Sequence, residues 1–170
     1  MDKNKATYKL KGLPPIYYLN LDEQPERKEY MEEQFKYWEI ENYTRISAYD
    51  GRDGRDLGDI LKGRYPDSMS SGEVGCTTSH LRAMVEFLKT DSPCALMMED
   101  DCDISTASYW TFEWKNFFAK VPYDYDVIQL AIINPASVHL KMHKRFVNDF
   151  STACYMITRR HAQKLVDLHV

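Results

Sequence analysis

The run Glu99-Asp100-Asp101-Cys102-Asp103 places four carboxylates within five positions, directly after the apolar stretch Cys94-Ala95-Leu96-Met97-Met98. Carboxylates this crowded repel one another and raise one another's pKa unless a cation neutralises them. Hard oxygen donors of this kind suit Mg²⁺ or Mn²⁺, with phosphate oxygens as the remaining ligands. A solvated turn after a strand is the plainer alternative, but it fits one or two acids better than four. Two further places could do chemistry. Arg27 and Lys28 fall in the first turn of an expected helix, where cations oppose the helix dipole unless an anion lies near. Arg27 is therefore either a phosphate or substrate contact or a solvated partner of Glu23 or Glu26. Glu73 and His80 lie two turns apart on one side of another expected helix, and on the residues alone they read as a helix-start acid and a satisfied helix histidine.

These side chains need a scaffold that carries them to one edge. An apolar run bounded by charge reads as a buried central strand that delivers its terminal acids to the rim of the sheet. Ahead of it, Pro15-Ile16-Tyr17-Tyr18-Leu19-Asn20-Leu21 has the β-branched and aromatic character of a strand. Asp22 then opens a turn, and Pro25 suits the first turn of a helix from Glu26 to about Trp38. Residues Tyr43 to Tyr49 form a second expected strand before the turn-rich Asp50-Gly51 and Asp53-Gly54. A short helix is expected near Leu57 to Leu61, and a long one begins at Ser70-Ser71-Gly72-Glu73, with Val74, Thr78, Leu81, Val85 and Leu88 as its apolar stripe. Beyond the acids, Ser105 to Ser108 read as caps for an aromatic helix holding Trp110, Trp114, Phe117 and Phe118. Tyr125 to Ile133 reads as a strand buried on both faces, Asn134 to His143 as a loop, Ser151 to Ile157 as a last strand, and Arg159 to about Leu168 as a last helix. Strands alternating with helices imply an α/β domain with a mostly parallel sheet in three layers, and ligands bind such sheets at the carboxyl ends of their strands.

The 170 residues suit one domain, and 44% hydrophobic with 28% charged residues is ordinary for a folded protein. A net charge of −4 without a long basic run indicates neither a nucleic-acid groove nor an anionic membrane surface. The charged start Met1-Asp2-Lys3-Asn4-Lys5 leads into no apolar segment and no run reaches the roughly 20 residues of a spanning helix, so a cytoplasmic location is expected. Cys76, Cys94, Cys102 and Cys154 are widely spaced and read as reduced thiols rather than a metal knuckle or a disulfide framework.

Several segments then fall into an order that resembles glycosyltransferase family 25. They are Ile16 to Asp22 with Pro25 and Arg27; Ala48-Tyr49-Asp50-Gly51; Ser71-Gly72-Glu73-Val74-Gly75-Cys76 with Ser79-His80; and Ala95-Leu96-Met97-Met98-Glu99-Asp100-Asp101. Asp126 to Leu130, and Thr152 to Ile157 with Ala162 and Lys164-Leu165, resemble the family's later segments. The family includes lipopolysaccharide β-galactosyltransferases and procollagen hydroxylysine galactosyltransferases.

The resemblance implies a GT-A-like three-layer α/β/α sandwich. It also implies transfer of a hexose, commonly galactose, with inversion from a uridine-diphosphate sugar to a glycan or hydroxylysine-type hydroxyl. Mn²⁺ or Mg²⁺ would be held by Asp101 with Glu99 directly or through water, or in a competing register by Asp101 and Asp103. Asn20, Leu21, Asp22, Arg27, Asp50, Glu73, His80 and Asp100 would bind the donor, and Glu73 and His80 would then face the cleft. Asp149 is the candidate base that deprotonates the acceptor. Two departures stand out. Ser151 replaces a glycine that the family usually has before the Thr-Ala strand, and the family's members continue past Val170, so the chain is either a piece of a longer protein or its site lacks a further ligand. Two other classes compete: a non-catalytic relative that binds a nucleotide sugar or glycan, and a hydrolase with a strand-end aspartate nucleophile, which Asn20-Leu21-Asp22 supplies poorly.

Overall fold

The computed structural model describes residues 6–53, 60–62, 65–132, 144–146 and 149–170. Its strands are β1 (Ile16–Asn20), β2 (Tyr43–Ser47), β3 (Cys94–Glu99), β4 (Val127–Gln129) and β5 (Cys154–Thr158), which form one sheet in the order β2-β1-β3-β5-β4. The helices are α1 (Pro25–Trp38), α2 (Ser71–Leu88), α3 (Trp114–Phe118) and α4 (Arg159–His169).

Strand periodicity distributes the core over both faces of the sheet. Ile16, Tyr18, Leu96, Met98 and Met156 face Met31, Phe35 and Trp38 of α1 and Trp114 of α3. On the other face, Tyr17, Leu19, Ala95, Met97, Tyr155 and Ile157 meet Leu81, Met84 and Phe87 of α2 and Ala162 of α4. Aromatic rings fix α1 against the sheet, with Phe35 edge-on to Tyr18 at 5.5 Å and stacked on Tyr43 at 4.4 Å between centroids. β1 pairs in parallel with β2 on one side and β3 on the other, and the connections through α1 and α2 lie on opposite faces. The chain therefore reverses direction across the sheet between β1 and β3, the kind of position at which open α/β sheets form a ligand crevice beyond the carboxyl ends of their strands.

The sheet is mixed rather than mostly parallel. β5 runs antiparallel to both β3 and β4, so two of the four pairings are parallel and two antiparallel. Alternating strands and helices suggested crossovers throughout, but no crossover helix occurs between β4 and β5 among the described residues, and strands joined without one pair antiparallel. The expectation of a strand from Tyr125 to Ile133 buried on both faces is also corrected. Among the described residues of that range only Val127–Gln129 forms strand, at the edge of the sheet, and Val127 is 41% exposed. Ser105 to Ser108 belong to a 3-10 segment, Ile104–Tyr109, capped by Asp103, and the aromatic helix starts only at Trp114. The helix expected near Leu57 to Leu61 falls largely outside the described residues, and the loop from Asn134 to His143 wholly so. No helix among the described residues is long and apolar enough to cross a membrane.

On α2 the buried face is displaced from the expected stripe. Gly75, Thr78, Ser79, His80, Leu81, Ala83, Met84 and Phe87 are buried, whereas Val74, Val85 and Leu88 are only half-buried. The small residues are there because the chain after β2 lies against the helix. Tyr49 donates its N–H to Ser79 Oγ at 2.8 Å, and Arg82 Nη1 donates to the Ser47 carbonyl at 2.9 Å. A Cβ on Gly75 would sit 2.6 Å from the Gly51 nitrogen and 2.7 Å from the Tyr49 carbonyl oxygen.

Gly75→Ala therefore inverts the usual sign of a helical glycine substitution. In an open helix alanine would stabilise by about 0.5–1 kcal/mol. Here the clash with backbone is expected to destabilise by about 1–3 kcal/mol, read as a lowered urea midpoint.

Candidate functional site

The crevice between β1 and β3 is built on Asn20, the last residue of β1, which is 1% exposed. Its Nδ2 donates to Asp100 Oδ2 at 2.8 Å and to the Gln24 carbonyl at 3.0 Å, while its Oδ1 accepts from Arg45 Nε at 2.9 Å. Leu21 accepts the Gln24 N–H on its carbonyl and so shapes the turn into α1. Asp22 is held from β2 by Arg45 Nη2 at 2.5 Å and Ser47 Oγ at 2.7 Å, and these bonds to its charged form keep its carboxyl below the usual range. Arg27 pairs with neither Glu23 nor Glu26. Its guanidinium reaches Asp100 Oδ1 at 3.2 Å and Asp101 Oδ2 at 3.3 Å, tying the first turn of α1 to the end of β3. Asp100 is 7% exposed, and a carboxylate buried to that degree requires partners such as Arg27 and Asn20.

The acids after Met98 do not stay together. β3 ends at Glu99, and Asp100 and Asp101 already lie in a turn, so strand alternation does not carry Glu99 and Asp101 to one side. Glu99 turns to the α2 face of the sheet. There its Oε1 accepts from Thr152 Oγ1 and lies 3.4 Å from His80 Nε2 and 4.0 Å from Cys76 Sγ. His80 is 5% exposed, and its Nδ1 is 2.9 Å from the Tyr155 hydroxyl. Burial alone would push the imidazole pKa down, but Cys76 and Glu99 outweigh it and the value is raised. The His80 contact lowers the Glu99 pKa in return, against the opposing effect of burial.

Glu73 is exposed in the first turn of α2, two turns before His80. Its carboxylate closes a capping box at the start of α2, accepting from Ser70 N and Ser70 Oγ, each at 2.7 Å, and this holds its pKa below the usual range. Asp50 sits on the loop that packs against α2, paired with Arg52 at 2.6 Å, which brings its pKa to about 2. Asp149 is 2% exposed, accepts the Phe146 N–H on Oδ2 at 2.7 Å, and lines a cavity with Cys76, His80, Asp101 and Thr152. The structure thus brings Asn20, Asp22, Arg27 and Asp100 together with Arg45, and Glu99 together with His80, Cys76, Thr152 and Tyr155. Sequence reasoning missed Cys76 and Arg45. The four-residue spacing of Cys76 and His80, which sets both on one helix face, was the available signal for the first.

Ser151, which stands where the resemblance leads one to expect glycine, has φ 108°, in the left-handed region that favours glycine. Its carbonyl accepts from Gln129 Nε2 at 2.8 Å and its Oγ accepts the Ala153 N–H at 3.1 Å. These bonds hold the backbone in a conformation that costs on the order of 1–3 kcal/mol.

Ser151→Gly removes the strain and is expected to raise the urea unfolding midpoint, by an amount equivalent to about 1 kcal/mol. For the Glu99–His80 pair the signs are opposite. The raised His80 contributes stability below its ordinary 6.5 that is lost as pH rises through the folded value, whereas the lowered Glu99 contributes stability above its ordinary 4.5 that is lost as pH falls. The stability difference between wild type and Glu99→Gln should therefore be largest between those two pH values and shrink on either side. In chelator-treated protein the His80 imidazole should titrate above 6.5, and Glu99→Gln should lower its midpoint, as followed by NMR.

A search of curated proteins finds no match to this chain. Residues 13–169, however, match the family described as glycosyltransferase family 25 (LPS biosynthesis protein). A match over that span takes in β1 to β5 and α1 to α4, the strands and α-helices of the described residues. The chain belongs to glycosyltransferase family 25 and is a glycosyltransferase.

Proposed function

We propose that the protein has a GT-A-like sheet and transfers a hexose, with galactose the leading candidate, from a uridine-diphosphate sugar to a glycan or hydroxylysine-type hydroxyl, with inversion and with the help of Mn²⁺ or Mg²⁺. The observation that carries this reading is the crevice between the carboxyl ends of β1 and β3, where Asn20, Asp22, Arg27, Arg45, Asp100 and Asp101 meet. Crevices at a reversal of strand order are where open α/β sheets take nucleotides.

Asp101 fits a hard cation. Its side chain is 55% exposed, and one or two carboxylates with substrate phosphates and water make a sufficient shell for such an ion. Glu99, whose Oε1 is already engaged by Thr152 and His80, contributes through water, and Asp103 is the alternative partner. A divalent ion held by Asp101 would supply neutralising charge to a departing diphosphate. Arg27 adds a cation on the same side, since its guanidinium already spans Asp100 and Asp101 and is 44% exposed toward an incoming phosphate. Asn20 and Asp100 form the buried floor, with ribose or sugar hydroxyls the natural partners of Asp100. Arg45 and Ser47 fix Asp22 at the rim. Asp149 is the candidate base, lying in the wall that also holds Thr152.

Thermal unfolding with uridine diphosphate, with and without Mn²⁺, tests the assignment. At a ligand concentration about 100-fold above Kd, the expected stabilisation is about 2.7 kcal/mol. The metal-dependent part should vanish in Asp101→Asn. Absence of any metal-dependent stabilisation in the wild type would overturn the donor site.

A further inference from the structure

Glu99, His80 and Cys76 form a second constellation, which the transfer reaction proposed above does not use as a unit. One ligand-type atom from each, the Glu99 oxygen, the His80 ring nitrogen and the Cys76 sulfur, lies within 4.8 Å of the other two, and no other such group of three occurs among the described residues. We propose that these three residues bind a borderline-soft divalent cation, Zn²⁺ by the chemistry of its donors, at a site separate from Asp101. The proposal does not rest on the sugar-transfer reading.

The first argument is distance. His80 Nε2 to Glu99 Oε1 is 3.4 Å and Cys76 Sγ to Glu99 Oε1 is 4.0 Å. Both are long for hydrogen bonds that hold a buried charged pair together. They are close to the edges of a coordination polyhedron, because tetrahedral zinc with bonds of about 2.0–2.3 Å sets its ligand atoms about 3.3–3.7 Å apart. The His80–Glu99 separation already falls in that range, the Cys76–Glu99 separation lies just above it, and the remaining one is within 4.8 Å.

The second argument is the surroundings of each donor. Cys76 and His80 are four residues apart on α2, so the helix presents both in one direction, while the end of β3 delivers Glu99 from across the sheet. A metal-bound histidine typically has its other ring nitrogen fixed by a neighbour, and Tyr155 OH is 2.9 Å from His80 Nδ1. A proton on Nδ1, donated to that hydroxyl, leaves the Nε2 lone pair facing Glu99 and Cys76. Thr152 Oγ1 likewise donates to the Glu99 carboxylate and orients it.

The third argument is donor type and access. Thiolate, imidazole and carboxylate together select zinc over Mg²⁺ or Mn²⁺, which prefer oxygen-only shells. The His80 side chain is 7% exposed and that of Glu99 29%, so the ion would be held at the edge of the core. Cys76, His80 and Thr152 line the same cavity as Asp149, which leaves the fourth coordination position to water from that side. On binding, the Cys76 thiol gives its proton to solvent and the sulfur becomes the thiolate ligand.

Metal analysis after equilibration with Zn²⁺, and absorption spectroscopy with Co²⁺ as the probe ion, test the site. One equivalent of Zn²⁺ should bind, and Co²⁺ should give thiolate-to-metal charge-transfer absorption together with the visible bands of a tetrahedral ion. Both should be lost in Cys76→Ser, a near-isosteric change at a half-exposed position, and retained in Asp101→Asn and Cys102→Ser. Tyr155→Phe should weaken Zn²⁺ binding by about 10–100-fold. Failure of the wild type to bind one equivalent, or a cobalt–thiolate band that survives Cys76→Ser, would overturn the proposal. Loss of uridine diphosphate binding in Asp101→Asn reports on the other site and leaves this one standing.

Discussion

A carboxylate placed almost out of water at the end of a central strand constrains everything near it. Asp100 is compatible with the fold only because Asn20 donates to one of its oxygens and Arg27 approaches the other. Those two partners come from the end of β1 and the first turn of α1, so satisfying one charge fixes the relative positions of β1, β3 and α1. Asn20 passes the constraint on, since its remaining oxygen accepts from Arg45 of β2, which in turn holds Asp22. Three parallel strands are thereby joined across their carboxyl ends by side chains as well as by their backbone ladder.

The same acidic run is divided between the two faces of the sheet. Glu99, the last residue in strand geometry, follows Ala95 and Met97 toward α2, and the next residue, Asp100, turns toward α1. Neighbouring carboxylates are thus turned toward opposite faces of the sheet. Mutual repulsion is relieved by parting them and giving each its own partners.

Much of this was legible in the residues. The apolar run 94–98 followed by acids located β3 and its functional end, and the Pro25 start with Met31, Phe35 and Trp38 located α1. Family 25 resemblance rested on segments that prove to line the crevice or support it, such as Asn20 to Arg27 and Gly75 with Ser79. What could not be read were relations that depend on the third dimension. The direction of β5 is set by a connection rather than by its own residues, and Val127 looks like a central-strand residue although it borders open solvent. Helical spacing set Glu73 two turns from His80 on one side of α2, but it could not show that the acid's bonds go to a serine at position 70. Arg27 could be assigned to a local glutamate or to a distant anion, and only packing of α1 against the end of β3 decides between them.

The reversed strand has a consequence for how the cleft is assembled. Because β5 runs against its neighbours, its beginning meets the rim where β1 and β3 end, and Asp149, Ser151, Thr152 and Ala153 line a cavity with Asp101. One wall is thus drawn from the first hundred residues and is locked by the Asn20–Asp100–Arg27 network. The other enters late in the chain through a strained serine. The two sides of the cleft answer to different folding constraints and meet at Glu99, which accepts from Thr152 of the later wall.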